Sequence, residues 1–158
     1  MTDDPRGWAA RVRVIVAGQE SKPDRLLPVL RAMQQEFGHV PREAVAEIAT
    51  ALNLSRAEVH GTLSFYQDLS EEPRGRHVLR LCRAEACQAM GAAGLAEAAL
   101  ARHGLAWGET AADGSLTVEP AYCLGLCSCS PSALFDEEPV GRLDAATLDR
   151  LFAGAAAS

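Results

Sequence analysis

No charge-free segment of this 158-residue chain approaches the roughly 20 residues that a membrane-spanning helix requires, so no membrane span is expected. No secretion leader is expected either. The chain opens Met1-Thr2-Asp3-Asp4-Pro5-Arg6, with acids where a secretion signal carries bases. These two absences together predict a soluble, cytoplasmic protein. Bases are scarce: 15 Lys and Arg stand against 21 Asp and Glu, a formal charge of −6, and only Lys22 is lysine. The deficit runs through both halves, −2 over residues 1–75 and −4 over residues 76–158. Neither half has the positive footprint that phosphate backbones demand, so nucleic-acid binding is not expected. A dinucleotide fingerprint is lacking too, because Gly91-Ala92-Ala93-Gly94 falls inside a helical pattern rather than after a strand. No Ser/His/Asp or Cys/His arrangement has the context of a nucleophile, which argues against independent hydrolytic catalysis. The first 81 residues contain no cysteine at all.

What is present suits a packed core, with 48% apolar and 23% charged residues. Residues 1–68 read as a helical bundle. Trp8, Val12, Ile15 and Val16 form one apolar stripe, and Leu26, Leu30, Met33 and Phe37 a second, with Asp24 as a candidate cap and Pro28 in the first turn. A third helix is expected from Pro41 to about Leu52, with Val45, Ile48, Ala49 and Leu52 inward. Ser55-Arg56-Ala57-Glu58 is a capping box opening a fourth, which buries Val59, Leu63 and Tyr66. Phe65 and Tyr66 are expected in the core, with contact to a partner as the second reading. The pair 41–52 and 55–66 has the length of a helix-turn-helix, but its acidic surroundings disfavour DNA.

Residues 69–76 are polar with Pro73 and Gly75, and read as a linker. Residues 77–158 then change period. His77–Cys82 is a strand, 88–103 an Ala-rich helix ended by Gly104, and 116–119 a strand after the Asp113-Gly114 turn. Ala133-Leu134-Phe135 and Pro139-Val140 are short strands joined by Asp136-Glu137-Glu138, read as a solvated turn. Asp144 caps a last helix with Leu148, Leu151 and Phe152 inward. The order β-α-β-β-β-α predicts a small α/β sandwich with a mixed sheet, and the whole chain is α+β. The four histidines, His39, His60, His77 and His103, are scattered and read as structural or exposed.

All five cysteines lie between residues 82 and 129. In a cytoplasmic chain such clustering points to metal or redox chemistry rather than a structural disulfide. Four residues lie between Cys82 and Cys87 and three between Cys123 and Cys127, and each pair follows a strand. Structural zinc knuckles usually leave two residues between ligands. The wider gaps favour a two-iron, two-sulfide cluster with one cysteine pair on each iron, leaving a tetrahedral zinc or a dithiol redox pair as alternatives. Gly125 permits close backbone approach, and Ala84 and Ala86 leave room beside the sulfurs. Four thiolates around an oxidised two-iron core carry a formal charge of about −2, falling to about −3 on reduction. A low potential follows unless donors such as loop N–H groups or Arg83 offset that charge. With four protein ligands no coordination position is open, so the chemistry expected is electron transfer.

The chain resembles the thioredoxin-like [2Fe-2S] ferredoxin subunit of NADH dehydrogenase (complex I), NAD-linked hydrogenases and NAD-dependent formate dehydrogenases. The resemblance spans roughly residues 23–152. It rests on Leu26-Leu27-Pro28 through Phe37-Gly38-His39-Val40-Pro41, on Leu54–Thr62 and Ser64-Phe65-Tyr66, and on Cys82–Cys87, Asp113-Gly114, Tyr122–Cys127 and Pro131. The wording of Cys82–Gln88 and Tyr122–Cys127 is most similar to the gamma subunit of the molybdenum-containing formate dehydrogenase. The resemblance implies a helical bundle followed by a thioredoxin-like domain, with Cys82, Cys87, Cys123 and Cys127 as cluster ligands. It leaves position 129 variable; Cys129 reads as a buried or half-buried free thiol, with replacement of Cys127 as a ligand the rival reading. It also implies that FMN, NAD and the molybdenum cofactor reside on partner subunits, a flavin- and NAD-binding one and a molybdenum-containing large one. In that setting the helical bundle reads as a docking element for the flavin subunit, with mere packing on the sandwich as the alternative. A four-cysteine zinc module that mediates binding is the alternative of another class.

Overall fold

The computed structural model describes residues 8–19 and 22–157. It divides into two compact units, one ending at Pro73 and the other beginning at Arg74. A single apolar stripe accounts for the first helix, α1 (Trp8–Gly18), whose buried residues are Trp8, Val12, Ile15 and Val16.

Three further helices complete the first unit: α2 (Leu26–Phe37), α3 (Arg42–Leu52) and α4 (Arg56–Phe65). Asp24 does not cap α2. Pro23–Arg25 form a 3-10 turn instead, and Arg25 occupies the cap position without a side-chain capping bond. Pro28 sits in the first turn of α2, where its missing N–H costs no helical bond. Ala44, Ile48, Ala49 and Leu52 carry the buried face of α3, while Val45 is only partly buried. The capping box on α4 is complete: the Glu58 N–H donates to Ser55 Oγ at 3.1 Å and the Ser55 N–H donates to Glu58 Oε2 at 2.8 Å. Those bonds from Ser55 hold the Glu58 carboxyl below its ordinary range. Their benefit is therefore present above the unfolded-state pKa and fades as pH falls through the lowered one. Ser55→Ala should cost about 1 kcal/mol of unfolding free energy in a denaturant titration at neutral pH.

Phe65 is not in the core. It is 77% exposed, edge-on to the half-buried Tyr66, which does pack on the core. The expected linker 69–76 is not a free tether either. Leu69 is buried in the helical core, the Ser70 carbonyl accepts from the Val40 N–H at 2.7 Å, and Glu71 pairs with Arg42 and His60. From Arg74 onward the chain belongs to the second unit. Arg74 pairs with Glu119, and the Gly75 N–H donates to Thr117 Oγ1 at 2.7 Å.

The second unit holds a four-stranded sheet in the order β2-β1-β3-β4, with β1 (His77–Cys82), β2 (Leu116–Ala121), β3 (Ala133–Phe135) and β4 (Glu138–Val140). β1 and β2 are parallel, and the other two pairings are antiparallel, so the sheet is mixed. Alternation sends Leu79 and Leu81 inward and Arg80 outward to Glu119 and Glu137. The Ala-rich segment is two helices rather than one. The short α5 (Glu85–Ala89) stops, and Gly91, at φ 83°, starts α6 (Ala92–His103) on a new axis. Gly91-Ala92-Ala93-Gly94 thus follows a helix end, not a strand. Leu79, Leu81 and Val118 pack with Ala99 and Leu100 of α6 and with Leu148 and Phe152 of α7 (Ala145–Ala157). Asp144 caps α7 by accepting from the Thr147 N–H at 2.7 Å. The acidic turn is also more than solvated. Asp136 accepts from the Val78 N–H at 2.8 Å and bonds His77, while Glu137 pairs with Arg80. No helix among the described residues is long and apolar enough to cross a membrane.

Candidate metal centre

The parallel register of β1 and β2 pairs Cys82 with Ala121, so both strands end on the same edge of the sheet. The chain leaves each strand there, and the two exits are tied together. The Arg83 N–H donates to the Ala121 carbonyl at 2.7 Å, and the Cys82 N–H donates to the Ser132 carbonyl at 3.0 Å. This places Cys82 at the strand end and Cys123 two residues past the facing strand.

Cys87 is reached through α5, whose cap residue Ala84 makes no side-chain bond to the helix. Ala84 thus offers the first-turn N–H groups of α5 no side-chain acceptor. The second loop turns sharply, with φ of 84° at Cys123 and 75° at Gly125. A glycine suits the latter, since a side chain there would be strained. The loop then enters a 3-10 turn over Cys127–Cys129.

The cysteines differ in exposure. Cys82 and Cys87 are 5% and 2% exposed, packed beside Ala92, Ala84 and Leu124, whereas Cys123 and Cys127 lie at the surface. Cys82 acts electrostatically on Cys87, and Cys123 on Cys127. Burial disfavours the Cys87 thiolate, but the hydroxyls of Ser132 and Ser130 and the Cys82 thiol outweigh it, so the Cys87 pKa is lowered. Cys127 moves the other way. The negative charge of Cys123 raises it most, and the charges of Cys87 and Cys82 add to the rise. The charges of Cys123, Cys87 and Cys82 thus all bear on Cys127. Among the described residues no group of three or more His, Cys, Asp and Glu side chains is arranged to hold a single metal ion.

Cys129 is half-buried and turned to other work, its thiol donating to the Leu126 carbonyl at 3.3 Å. The Arg83 guanidinium lies 4.9 Å from the centre of the Trp107 ring, a cation–π contact. None of the four histidines joins the cysteines. His39 bonds the Phe37 carbonyl, His60 pairs with Glu71, His77 stacks on Phe135, and His103 stacks on Phe152. Ser130, Ser132 and Gly141 support the loops, and the sequence pattern marks none of them as functional. The only signal is the polar pair flanking Pro131.

The family model of the thioredoxin-like [2Fe-2S] ferredoxins matches residues 12–156. The chain belongs to that family. Among the relatives of this ferredoxin-family chain, an NADH-quinone oxidoreductase subunit of Rhizobium meliloti (strain 1021) is 35% identical over 140 residues, covering 87% of this chain and 83% of the relative. An NADH-quinone oxidoreductase subunit of Escherichia coli (strain K12) is 33% identical over 112 residues, covering 71% and 68%. A solved NAD+-reducing [NiFe]-hydrogenase in the air-oxidised state superposes with a TM-score of 0.65 at 31% identity, over 81% of this chain. This chain spans only 22% of that hydrogenase chain.

Proposed function

We propose that this chain is the electron-transfer [2Fe-2S] subunit of an NAD-linked oxidoreductase complex, with Cys82, Cys87, Cys123 and Cys127 as the cluster ligands. The observation that carries the reading is the meeting of two cysteine pairs at one sheet edge, in a chain of the [2Fe-2S] ferredoxin family. Cysteine pairs with gaps of four and three residues fit a cluster with one pair on each iron better than a single tetrahedral ion.

When bound, such a cluster supplies one-electron transfer and no open coordination position. The residues around it do the rest. Burial of Cys82 and Cys87 keeps water from one side of the site. Exposure of Cys123 and Cys127 leaves the other side open to a redox centre on a partner. Donors such as the loop N–H groups or Arg83 would offset the added negative charge of a reduced cluster.

The parent complex we propose is a molybdenum-containing, NAD-dependent formate dehydrogenase, on the wording of Cys82–Gln88 and Tyr122–Cys127. Formate is then oxidised on a large subunit, and this chain exchanges electrons with the flavin of a second partner. The exposed Phe65 supports a docking role for the helical unit toward that flavin subunit. The named relatives favour a second reading, the equivalent subunit of an NADH-quinone oxidoreductase or an NAD+-reducing hydrogenase.

The isolated chain, purified without oxygen, should be red-brown, contain iron and acid-labile sulfide, and give a two-iron paramagnetic signal after strong reduction. It should neither oxidise formate nor reduce NAD. A colourless protein with stoichiometric zinc sinks the cluster reading in favour of a zinc interaction module. Affinity purification of the complex from its native cells, with metal analysis for molybdenum and nickel, separates the candidate parents.

A further inference from the structure

Ser132 is 2% exposed, and its side chain points at a sulfur. A buried hydroxyl left without a partner is costly, so the group it faces matters. The Ser132 hydroxyl meets Cys87 Sγ at 3.5 Å. Ser130, on the other side of Pro131, stands equally close. The Cys87 thiol donates to Ser130 Oγ at 3.5 Å, while the Ser130 hydroxyl donates to the Cys127 carbonyl at 2.9 Å. The backbone holds this arrangement, because the Ser132 carbonyl also accepts the Cys82 N–H at 3.0 Å. The Ser130-Pro131-Ser132 segment is thus bonded to Cys82, Cys87 and Cys127.

We infer that Ser132 is a positioning residue that sets the reduction potential of the site by donating its hydroxyl hydrogen bond to the Cys87 sulfur. This rests on the reading of Cys87 as a cluster ligand. A ligating thiolate has no proton to give, so the direction of the bond is then decided: the serine donates. Such a bond strengthens as negative charge on the sulfur grows, and reduction adds one electron's charge to the site. The bond therefore stabilises the reduced form more than the oxidised form and raises the potential. Ser130 contributes less, since its proton is already committed to the Cys127 carbonyl.

The test is a dithionite titration of the reconstituted full chain, followed by the reduced paramagnetic signal, for wild type and for Ser132→Ala, Ser132→Thr and Ser130→Ala. Resonance Raman spectra in water and deuterium oxide read the iron–sulfur stretches of the same samples. Ser132→Ala should keep its iron, titrate at a lower potential than wild type, and lose part of the deuterium-induced shift of those stretches. Ser132→Thr, which retains the hydroxyl, should titrate near wild type, and Ser130→Ala should move less than Ser132→Ala. An unchanged potential in Ser132→Ala overturns the inference and leaves the cluster standing. So does a Thr variant displaced as far as the Ala variant, or loss of iron from Ser132→Ala, which would assign the serine to assembly instead. A wild-type chain that assembles no cluster overturns both this inference and the ligand reading beneath it.

Discussion

Serine in place of Cys82, Cys87, Cys123 or Cys127 should leave the chain with little or no bound iron and no reduced two-iron signal. An alkoxide is a harder and more basic ligand than a thiolate, and a serine hydroxyl is seldom deprotonated at neutral pH. Cys129→Ser should behave differently and keep its iron. The Cys129 thiol is engaged with the Leu126 carbonyl and packs against Gly141. Iron content and the reduced signal of the five single variants decide the matter. Loss of the cluster from Cys129→Ser, with retention in Cys127→Ser, would exchange the two assignments and leave electron transfer intact.

Gly141→Ala should destabilise the loop that carries Cys127 and Cys129. A Cβ at position 141 would lie 2.7 Å from Cys129 Sγ, 2.8 Å from its Cβ and 3.0 Å from its carbonyl oxygen. No long flexible side chain is there to move aside. The two segments are also sewn together, the Arg142 N–H donating to the Cys129 carbonyl at 2.6 Å and the Leu143 N–H to the Pro131 carbonyl at 2.9 Å. The added methyl must therefore push the Cys127–Cys129 turn outward. Overpacking of this kind costs about 1–3 kcal/mol, measurable by denaturant unfolding. Cys129→Gly in the same chain removes two of the three clashes and should restore part of the loss. Cys129→Ala, which keeps the Cβ, should restore less. Equal stability of Gly141→Ala and wild type would mean that the two segments separate freely.

The helices of the first unit were legible because their stripes repeat every three to four residues, as Val12, Ile15 and Val16 do on α1. Phe65 was legible in principle and misread. It lies two residues past Leu63, about 200° around the helix from that buried position, so the stripe through Val59 and Leu63 excludes it. The break between α5 and α6 left no such trace, since alanine favours helix on both sides and only Gly91 marks the change. The acidic turn was half legible. Its position was visible, but two positive φ values at Asp136 and Glu137 depart from the usual Asn-Gly signal, and the bonds to His77 and Val78 are long-range. The cysteine spacing disclosed two pairs. The roles of Ser132 and Gly141 did not show, because each depends on a residue that only tertiary folding brings near.

The side-by-side strands also set what length the chain can spare. Cys82 closes β1 and Cys123 falls two residues beyond β2, so each sulfur is located by counting from a strand end. The 35 residues between Cys87 and Cys123 do not enter that count. Residues added at the exposed Ala112-Asp113 tip leave both countings unchanged, whereas one residue added between Ala121 and Cys123 displaces a sulfur by a full step of backbone, roughly 3.3 Å. A search for unrecognised sites of this kind gains by fixing the distance from each strand to its own cysteines and letting the interval between the pairs float.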